Sequence, residues 1–418
     1  MNRMTRVNRS NLMARGRSTL RIALYAAIAS GSLLSSATAQ HIFTPIATSG
    51  RFQFLPGSVG GINDAGEVAF RAGHSNVLGV FRGSGGAAPA AVALANGPLG
   101  YFLGHDLNLR GQVGIWGLPP SGQLVAVSDG SATAITPTVL GAPLTDARPP
   151  AVGDLGIATF WARIAGASGI FRFDASGTSA VALAPLALGG YSWFCEEPSV
   201  NTVGSIAFLG ERGSGVEEIH RIHGATGADT LIAQSGAGYI RFGHRTPINQ
   251  RGEVAFLALL AGGRESLRVG DGVNPDRVVA ETGSDFLSIG PRFAHNRCGT
   301  VVFEARLPGG LRGIFLGSDP ASDVVIREGS YIGSKKVVGL ELGDLNNGDA
   351  ISFSAVFSDG TAGIYRAEPR IPTCEPCPWD LDGDGDVDGD DLTLLLSGVP
   401  GVTGADLLAL LAGVGACP

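Results

Sequence analysis

The C-terminal segment of the chain concentrates the side chains best suited to binding a metal ion. Between positions 380 and 391, seven of the twelve residues are Asp. Calcium takes six to eight oxygen ligands, and so many neighbouring carboxylates repel one another unless a cation lies among them. The alternation of Asp with Gly and Val therefore predicts a calcium-binding loop.

The register of this loop fits the twelve-residue EF-hand pattern. Gly385 falls at position 6, where that loop turns sharply, and Val387 at position 8 packs inward. Asp386 is expected to ligate through its backbone carbonyl, and Asp388 through a water molecule. A solvated acidic linker without an ion is the alternative interpretation. The predicted ligands are Asp380, Asp382, Asp384, Asp386 and Asp391.

Asp391 at position 12, followed by Leu392 and Leu395, resembles the first half of a type I dockerin. A second half at 402–411 keeps Asp406 and an apolar helix pattern but lacks the acids of positions 1, 3 and 5. We therefore expect one calcium ion rather than two, and two short helices near 390–397 and 404–412 with packed Leu faces. The resemblance implies attachment of residues 379–418 to a protein partner or a surface.

This module also resembles the dockerin-like C-terminal anchors of planctomycete secreted proteins, in which Cys residues frame the unit. The resemblance implies a disulfide between Cys377 and Cys417. The chain has five Cys, an odd number. Cys374, in the Pro-rich linker 369–378, is expected to be free or to compete with Cys377, and Cys195 and Cys298 are not expected to pair.

The N-terminal 39 residues read as a secretory signal peptide. Six Arg and no acidic residue precede or flank an apolar run from Ile22 to about Leu34, and Ala37-Thr38-Ala39 matches a cleavage site. A transmembrane anchor is the alternative, although Ser and Gly dilute the run. Cleavage near Ala39 would give a secreted or cell-surface protein without a membrane span in the mature chain, in an oxidising compartment.

The body of the chain repeats seven times, with anchors at 63, 108, 153, 201, 249, 296 and 346 and gaps of 45 to 50 residues. Each repeat has an extended stretch ending in Asn, a tight turn with Gly three places later, and a Val-Ala-Phe type strand. Gly153 replaces the Asn in the third repeat, and the last repeat has its Gly one place early, at Gly348. An Asn that opens a turn bonds its own backbone, and Gly accepts a positive φ, so the pattern predicts turns.

Four short strands per repeat and seven repeats predict a seven-bladed β-propeller over residues 40–368. The last repeat stops after its third strand, at Tyr365, and the missing strand type occurs near the start of the mature chain, at 44–50. We expect this N-terminal strand to complete the last blade and remove an exposed edge. The predicted fold class is thus all-β, with a small helical module at the C-terminus.

Three repeats match an N-x-x-G-x-x-A-F pattern in full, those that begin at Asn63, Asn201 and Asn249. They resemble the secreted bacterial tandem-repeat proteins of that signature, which carry interchangeable C-terminal anchors. The resemblance covers roughly residues 42–368 and implies an exported protein, without a defined molecular activity. The layout also resembles the blades of periplasmic TolB-type propellers.

No catalytic motif stands out in the body: a zincin helix, a Gly-x-Ser-x-Gly elbow and a phosphate loop are all missing from the sequence. A set of polar residues lies shortly before the repeat Asn positions, which would place them near the propeller axis. No member of the set is assigned a catalytic role. The set comprises His105, His244, His295, Glu196, Glu197, Arg245 and Arg292.

Three functions remain open from the sequence. The first is a non-catalytic propeller that binds a polysaccharide or protein ligand and attaches through its calcium-binding tail. The second is an extracellular carbohydrate-active enzyme, a glycoside hydrolase or lyase, with two facing carboxylates. The third is a structural component of the cell envelope. The body has no dense basic stripe, so a nucleic-acid partner is not expected.

Overall fold

The structure is a computed structural model, and it describes residues 41–418 with short gaps. The positions outside the described residues are 1–40, 98–99, 132, 137, 140, 154–155, 175, 185–189, 237, 372–376, 378, 382–385, 399–403 and 417–418. The predicted signal peptide therefore lies outside the described residues. So do Cys417, of the predicted Cys377–Cys417 disulfide, and Cys374, which is expected to be free or to compete with Cys377. All described residues belong to one compact unit that begins at Gln40.

The fold is a seven-bladed β-propeller, as predicted. Every blade is an antiparallel sheet. Strand β1, His41–Thr48, precedes the first blade. The strands of blades 1 and 2 are β2 Gln53–Ile62, β3 Val68–His74, β4 Val77–Gly83 and β5 Ala90–Leu94, then β6 Tyr101–Leu107, β7 Val113–Leu118, β8 Leu124–Ser128 and β9 Thr133–Thr136.

Blades 3 and 4 contain additional short strands. Blade 3 is formed by β10 Thr138–Val139, β11 Ala142–Ala147, β12 Ala151–Val152, β13 Ala158–Ile164, β14 Ala167–Asp174 and β15 Gly177–Ala184. Blade 4 is formed by β16 Tyr191–Phe194, β17 Ser199–Val200, β18 Ile206–Arg212, β19 Glu217–Ile222 and β20 Asp229–Gln234.

The last three blades return to the simpler pattern. Blade 5 is formed by β21 Tyr239–Phe242, β22 Val254–Leu260, β23 Glu265–Gly270 and β24 Arg277–Glu281, and blade 6 by β25 Ser288–His295, β26 Val301–Arg306, β27 Arg312–Phe315 and β28 Val324–Arg327. Blade 7 contains β29 Tyr331–Ile332, β30 Lys335–Leu345, β31 Ile351–Phe357 and β32 Ala362–Pro369.

The N-terminal strand closes the ring, which confirms the prediction from the incomplete last repeat. Strand β1 pairs antiparallel with β32, with His41 opposite Pro369 and Thr48 opposite Gly363. The ring of Phe43 also meets Phe353 of β31 edge-on, with 5.8 Å between the centroids. The first strand therefore belongs to the last blade, and it covers the edge that β32 would otherwise present to solvent.

Proline accounts for interruptions in the innermost strands of several blades. Pro149 and Pro150 separate β11 from β12, and Pro198 separates β16 from β17. Pro247 follows β21, and Pro291 lies where the pairing of β25 with β26 shifts register. Proline has no N–H to donate to the ladder, so the pairing breaks at these points.

The repeat turns have the predicted left-handed Gly, with one exception. Gly66 and Gly252, for example, have φ values of 73° and 74°. In the seventh repeat the left-handed residue is Asp349, with φ 57°, and not the early Gly348. Asp349 is 2% exposed, and its carboxylate accepts a hydrogen bond from Asn296 of blade 6 at 2.9 Å. This buried bond offsets the cost of a left-handed non-Gly residue.

The core lies between neighbouring blades and is built from the Ala and Phe of the repeat. Ala69, Ala255, Phe70 and Phe256 are all fully buried. One cluster joins Ala255 of blade 5 to aromatic residues of blade 6, which shows that each blade packs its repeat motif against the next. The pattern thus encodes the contacts between blades as well as the blades themselves.

The C-terminal module contains the two predicted helices, α1 Gly389–Gly398 and α2 Gly404–Ala412. Its core is formed by Leu381, Val387, Leu395 and Leu410. Strand β33, Asp386–Val387, pairs with β34, Gly415–Ala416, so the C-terminal end of the chain completes the module. Neither helix of the described chain has the length and apolar character needed to cross a membrane.

Candidate functional site

The repeat Asn side chains link neighbouring turns on one face of the propeller, here called the asparagine face. Each of the six Asn accepts a hydrogen bond from the backbone N–H four residues later, as Glu253 N–H donates to Asn249 at 2.9 Å. The side-chain amide then donates to the backbone carbonyl of the next repeat anchor. Among the described residues the donors of such links are Asn108, Asn201, Asn249, Asn296 and Asn346.

These links extend the turn role that the sequence predicts. The expected bond to the backbone two residues later occurs at Asn108 and Asn346, whereas the bond four residues later occurs in every repeat Asn. The link between Asn346 and Asn63, at 2.9 Å, joins the last repeat to the first. The turn signature therefore also ties blade to blade at five of the seven junctions, the closing one included.

A cavity of about 640 Å³ occupies the propeller axis. All seven blades contribute lining residues, from the innermost strands and the repeat turns. This volume is within the usual range for small-molecule pockets, about 300–1,000 Å³. One lining residue from each blade, in order, is Gly57, Leu103, Arg148, Glu196, Arg245, Arg292 and Asp344.

Charge pairs between neighbouring blades surround the end of the cavity opposite the asparagine face, here called the entry mouth. Arg148 Nε donates to Glu196 at 2.5 Å, and Arg245 Nε donates to Glu197 at 2.9 Å. On the other side, Arg292 lies 2.7 Å from Glu341, whose carboxylate also accepts the Gly57 N–H of blade 1. Half-exposed pairs of this kind add only about 0–1 kcal/mol each, so their main effect is on the polarity of the mouth.

Two carboxylates from distant parts of the sequence face the cavity together. Asp106 and Asp344 lie two residues before their repeat Asn, and each accepts backbone N–H bonds. Burial, and after it the nearby charge of Asp344, together raise the pKa of Asp106 to about 7. Burial also raises the pKa of Asp344, and Arg245 partly offsets the effect on both.

The lining as a whole is close to neutral. Burial lowers the pKa of His295 to about 3, so this lining residue is uncharged at neutral pH. Four Arg stand against five carboxylates, one of which is half protonated near neutral pH. These residues are Arg71, Arg148, Arg245 and Arg292, with Asp64, Asp106, Glu196, Glu197 and Asp344. The cavity therefore offers many hydrogen-bonding groups without a strong net charge.

The residues that the sequence placed near the axis divide into two groups. Glu196, Glu197, Arg245, Arg292 and His295 all line the cavity, as expected. His244 instead lies beside the ring of Trp193, with 6.3 Å between the centroids, and the side chain of His105 is not among those described. Trp193, three residues before Glu196 in the sequence, is 39% exposed.

The sequence did not single out Asp106 or Asp344. Each occupies the position two residues before the repeat anchor, where the other repeats have Gly, Ala, Ser or Pro. Comparing that position across the seven repeats would have identified both. Their proximity to each other follows from the closed ring and cannot be read from spacing.

In the C-terminal module, three of the loop carboxylates converge. Ligand atoms of Asp386, Asp388 and Asp391 lie within 4.8 Å of one another. Both oxygens of Asp391 accept backbone bonds, from Leu381 at 2.5 Å and from Asp388 at 2.8 Å, which fixes the carboxylate at the loop. Asp388, expected to act through water, thus lies as close as Asp386 and Asp391, and Asp386, expected to ligate through its backbone carbonyl, joins the group with its side chain.

The remaining predicted ligands are placed differently. Asp382 and Asp384 lie outside the described residues. Asp380 is buried, and its carboxylate is 3.5 Å from the guanidinium of Arg297, which belongs to the repeat turn of blade 6. Nothing in the loop pattern indicates that position 1 faces a cation of the propeller.

Cys195, which follows β16 of blade 4, is a buried free thiol. Its Sγ donates to the His244 carbonyl at 2.9 Å, and burial raises the pKa of the thiol to about 12. A thiol with so high a pKa is not a nucleophile at neutral pH. The expectation that Cys195 and Cys298 do not pair is confirmed.

Known structures resemble the fold at low sequence identity. A prolyl endopeptidase matches with a TM-score of 0.51 at 11% identity, over 78% of this chain and 50% of that chain. Prolyl oligopeptidase B from Galerina marginata matches with a TM-score of 0.51 at 10% identity, over 79% of this chain and 50% of that one. TolB from Acinetobacter baumannii matches with a TM-score of 0.40 at 13% identity, over 74% of this chain.

These likenesses concern the fold alone. The chain spans 64% of the length of TolB and half the length of the two peptidases. No protein-family model matches the chain, and no curated protein matches it. The function therefore has to be inferred from the site.

Proposed function

We propose that the protein is an exported, non-catalytic binding propeller that takes a neutral, hydroxyl-rich ligand, such as a polysaccharide segment, at the entry mouth. The observation that carries this proposal is the axial cavity of about 640 Å³, lined by seven blades with nearly balanced charge. Paired Arg and Glu side chains present donors and acceptors without attracting a strongly charged ligand. Trp193 adds an exposed aromatic face of the kind on which a sugar ring stacks.

A glycan array probed with residues 40–418 tests this function. We expect neutral glycans to be bound, and binding to be lost in Arg245→Ala, which removes a lining side chain and leaves Glu197 without its partner. Arg264→Ala is the matched control, because Arg264 is an exposed Arg of the same blade, outside the cavity lining. Equal loss in both variants, or retention in both, would contradict binding at the entry mouth.

The export and attachment parts of the proposal depend on the two ends of the chain. Residues 1–39 have the composition of a signal peptide, and the C-terminal module resembles a dockerin half. We propose that the module binds one calcium ion at Asp386, Asp388 and Asp391, and that it attaches the propeller to a protein or surface partner. The convergence of these carboxylates supports the ion site, since calcium prefers such oxygen ligands.

Isothermal calorimetry with calcium measures that site directly. We expect one equivalent per chain, with binding lost in Asp388→Ala and in Asp391→Ala, which remove two of the three converging carboxylates. Asp406→Asn, in the degenerate second half, is the control and is expected to leave the stoichiometry unchanged. Two equivalents in the unaltered protein, or full binding in both loop variants, would refute the assigned register.

A hydrolytic or lyase activity is the second candidate, and the carboxylate pair of the cavity favours it. With a pKa near 7, Asp106 is protonated in part at neutral pH and could donate a proton, while Asp344 lies nearby. Turnover of any member of a polysaccharide panel that disappears in Asp106→Asn would support an enzyme. Binding of the same panel without turnover, in both the unaltered protein and the variant, would support the binding function instead.

A further inference from the structure

The C-terminal module contacts the propeller through a buried ion pair. Arg297 follows the repeat Asn of blade 6, and its Nη1 lies 3.5 Å from Asp380 and donates to the Cys377 carbonyl at 3.2 Å. The side chain of Arg297 is 8% exposed and that of Asp380 is 3% exposed. A charge pair excluded from water to this degree requires close coverage by both parts of the chain.

Neighbouring turns of the asparagine face support this contact. The backbone N–H of Arg297 donates to the side chain of Asn347 in blade 7 at 3.1 Å. Asn347 in turn donates to Asp64 of blade 1, from its side chain at 3.1 Å and from its backbone at 2.9 Å. Three adjacent blades therefore hold Arg297 in place, and residues 40–418 form a single compact unit rather than two.

The cysteine next to Arg297 gives an independent observation. Cys298 and Cys377 are both in the disulfide state, whereas Cys195 is a buried free thiol. The chain has five Cys, and the remaining ones all lie beyond residue 370. With Cys195 excluded, every possible partner of Cys298 within the chain belongs to the C-terminal segment.

We propose that the C-terminal module is a docked and covalently fastened part of the propeller: it sits on the asparagine face, held by the Arg297–Asp380 ion pair and by a disulfide from Cys298. A freely moving tether would leave both charges in water and Cys298 without a partner. This arrangement leaves the entry mouth as the face open to a ligand. It holds whether or not the propeller binds a glycan.

Peptide mapping tests the covalent link, and the sequence makes the fragments simple to recognise. Residues 371–418 contain no Lys or Arg, so trypsin releases them as one peptide, and Cys298 falls in the peptide 298–306. The protein is treated with N-ethylmaleimide, unfolded and digested without reductant. We expect 298–306 to appear joined to 371–418 and to separate on reduction, with the Cys195 peptide 173–212 alkylated.

Two mapping results would overturn the proposal. One is 298–306 recovered as an N-ethylmaleimide adduct, which would show a free thiol. The other is 298–306 joined to 173–212, which would show a bond within the propeller. Cys298→Ser is expected to abolish the joined species.

Small-angle X-ray scattering tests docking separately from the bond. In the double variant Arg297→Ala, Cys298→Ser we expect a larger radius of gyration, because the module is no longer held against blade 6. Gln250→Ala with Arg251→Ser changes the equivalent two turn residues of blade 5 and is expected to leave the radius unchanged. An unchanged radius in the first double variant would overturn docking through these two residues.

Discussion

At the scale of single residues, the repeat Asn does two jobs with one amide group. Its oxygen accepts the N–H four residues later and closes the turn, and its nitrogen donates to the next blade. The turn could be predicted from the sequence because both partners are local. The link between blades could not, because its acceptor lies 45 to 50 residues away, or 283 residues away at the closure, and becomes a neighbour only in the ring.

The link from Asn346 to Asn63 allows the stability contributed by these bonds between blades to be measured directly. Asn346→Ala removes one of the two donors to the Asn63 carbonyl and leaves the N–H groups of Gly348 and Ala350 without the side-chain oxygen that accepts them in a buried turn. We expect a loss of about 2–4 kcal/mol, seen as a lower Tm in thermal unfolding. Asn274→Ala, in an exposed loop, is the control and is expected to change Tm little. Equal shifts in both variants would mean that the closing bonds add no stability.

The raised pKa of Asp106 makes a prediction about pH. A carboxyl with a pKa near 7 in the folded protein and near 4 in the unfolded chain stabilises the fold below pH 4. That contribution disappears as the pH rises through 7, because the charged form is disfavoured in the buried site. We therefore expect Asp106→Asn to raise Tm relative to the unaltered protein as the pH increases from 5 to 8.

Asp359→Asn is the control for that experiment. Hydrogen bonds from Thr361 lower the pKa of Asp359 to about 2, so its charge does not change between pH 5 and 8. Its effect on Tm is expected to be constant over this range. If the curve of Asp106→Asn also runs parallel to that of the unaltered protein, Asp106 does not titrate near neutral pH.

At the scale of elements, the repeat Gly joins a turn to the third strand of the preceding blade. An Arg that follows the aromatic residue of that strand donates to the Gly carbonyl, as Arg221 does to Gly252 at 2.7 Å. The same contact links Arg366 to Gly66 and Arg82 to Gly111. A Cβ at Gly252 would lie 2.6 Å from the Arg221 guanidinium, so this position needs Gly for space as well as for its φ of 74°.

Two glycines of blade 5 separate these two requirements. In Gly262→Ala the new methyl group has open space around it, but the backbone keeps a positive φ. We therefore expect the free energy of unfolding to fall by about 1 kcal/mol. Gly252→Ala has the same backbone strain and also displaces the Arg221 side chain. We therefore expect a clearly larger loss in the free energy of unfolding. Denaturant unfolding of both variants measures the difference. Equal costs would mean that the Arg contact contributes nothing beyond the backbone conformation.

The helices of the C-terminal module follow from local sequence, whereas the position of the module on the propeller does not. The helices of the C-terminal module begin and end close to their predicted limits, because Leu periodicity and Gly boundaries are local signals. The position of the module on blade 6 depends on Arg297 meeting Asp380, and neither residue type indicates that contact. Proline interrupts the innermost strands of several blades, and these breaks follow from local sequence because proline has no N–H to donate.

At the scale of the whole molecule, the number of blades and the closing strand could be predicted, because seven evenly spaced anchors and an incomplete last repeat leave few alternatives. The cavity could be predicted only in part. The sequence located Glu196, Arg245 and their neighbours near the axis. It did not indicate that they form pairs between blades, or that Asp106 and Asp344 come together.

Removing the closing strand tests how much the ring depends on it. A chain that begins at Ser49 lacks β1 and exposes the apolar edge of β32, with Phe43, Ile46 and Ala47 lost from the last blade. We expect aggregation or a Tm at least 10 °C lower, measured by gel filtration and calorimetry. A chain that begins at Gln40 is the control. A monomer of unchanged Tm from the shorter chain would show that closure is dispensable.

The pairing of β1 with β32 also determines the order in which this protein can fold. His41 and Pro369 are direct partners, although almost the whole propeller separates them in sequence. A contact of such long range forms late, because the intervening chain must be ordered before the ends meet. The strand synthesised first is thus the last to acquire its neighbour, and the ring completes only when the final blade has emerged.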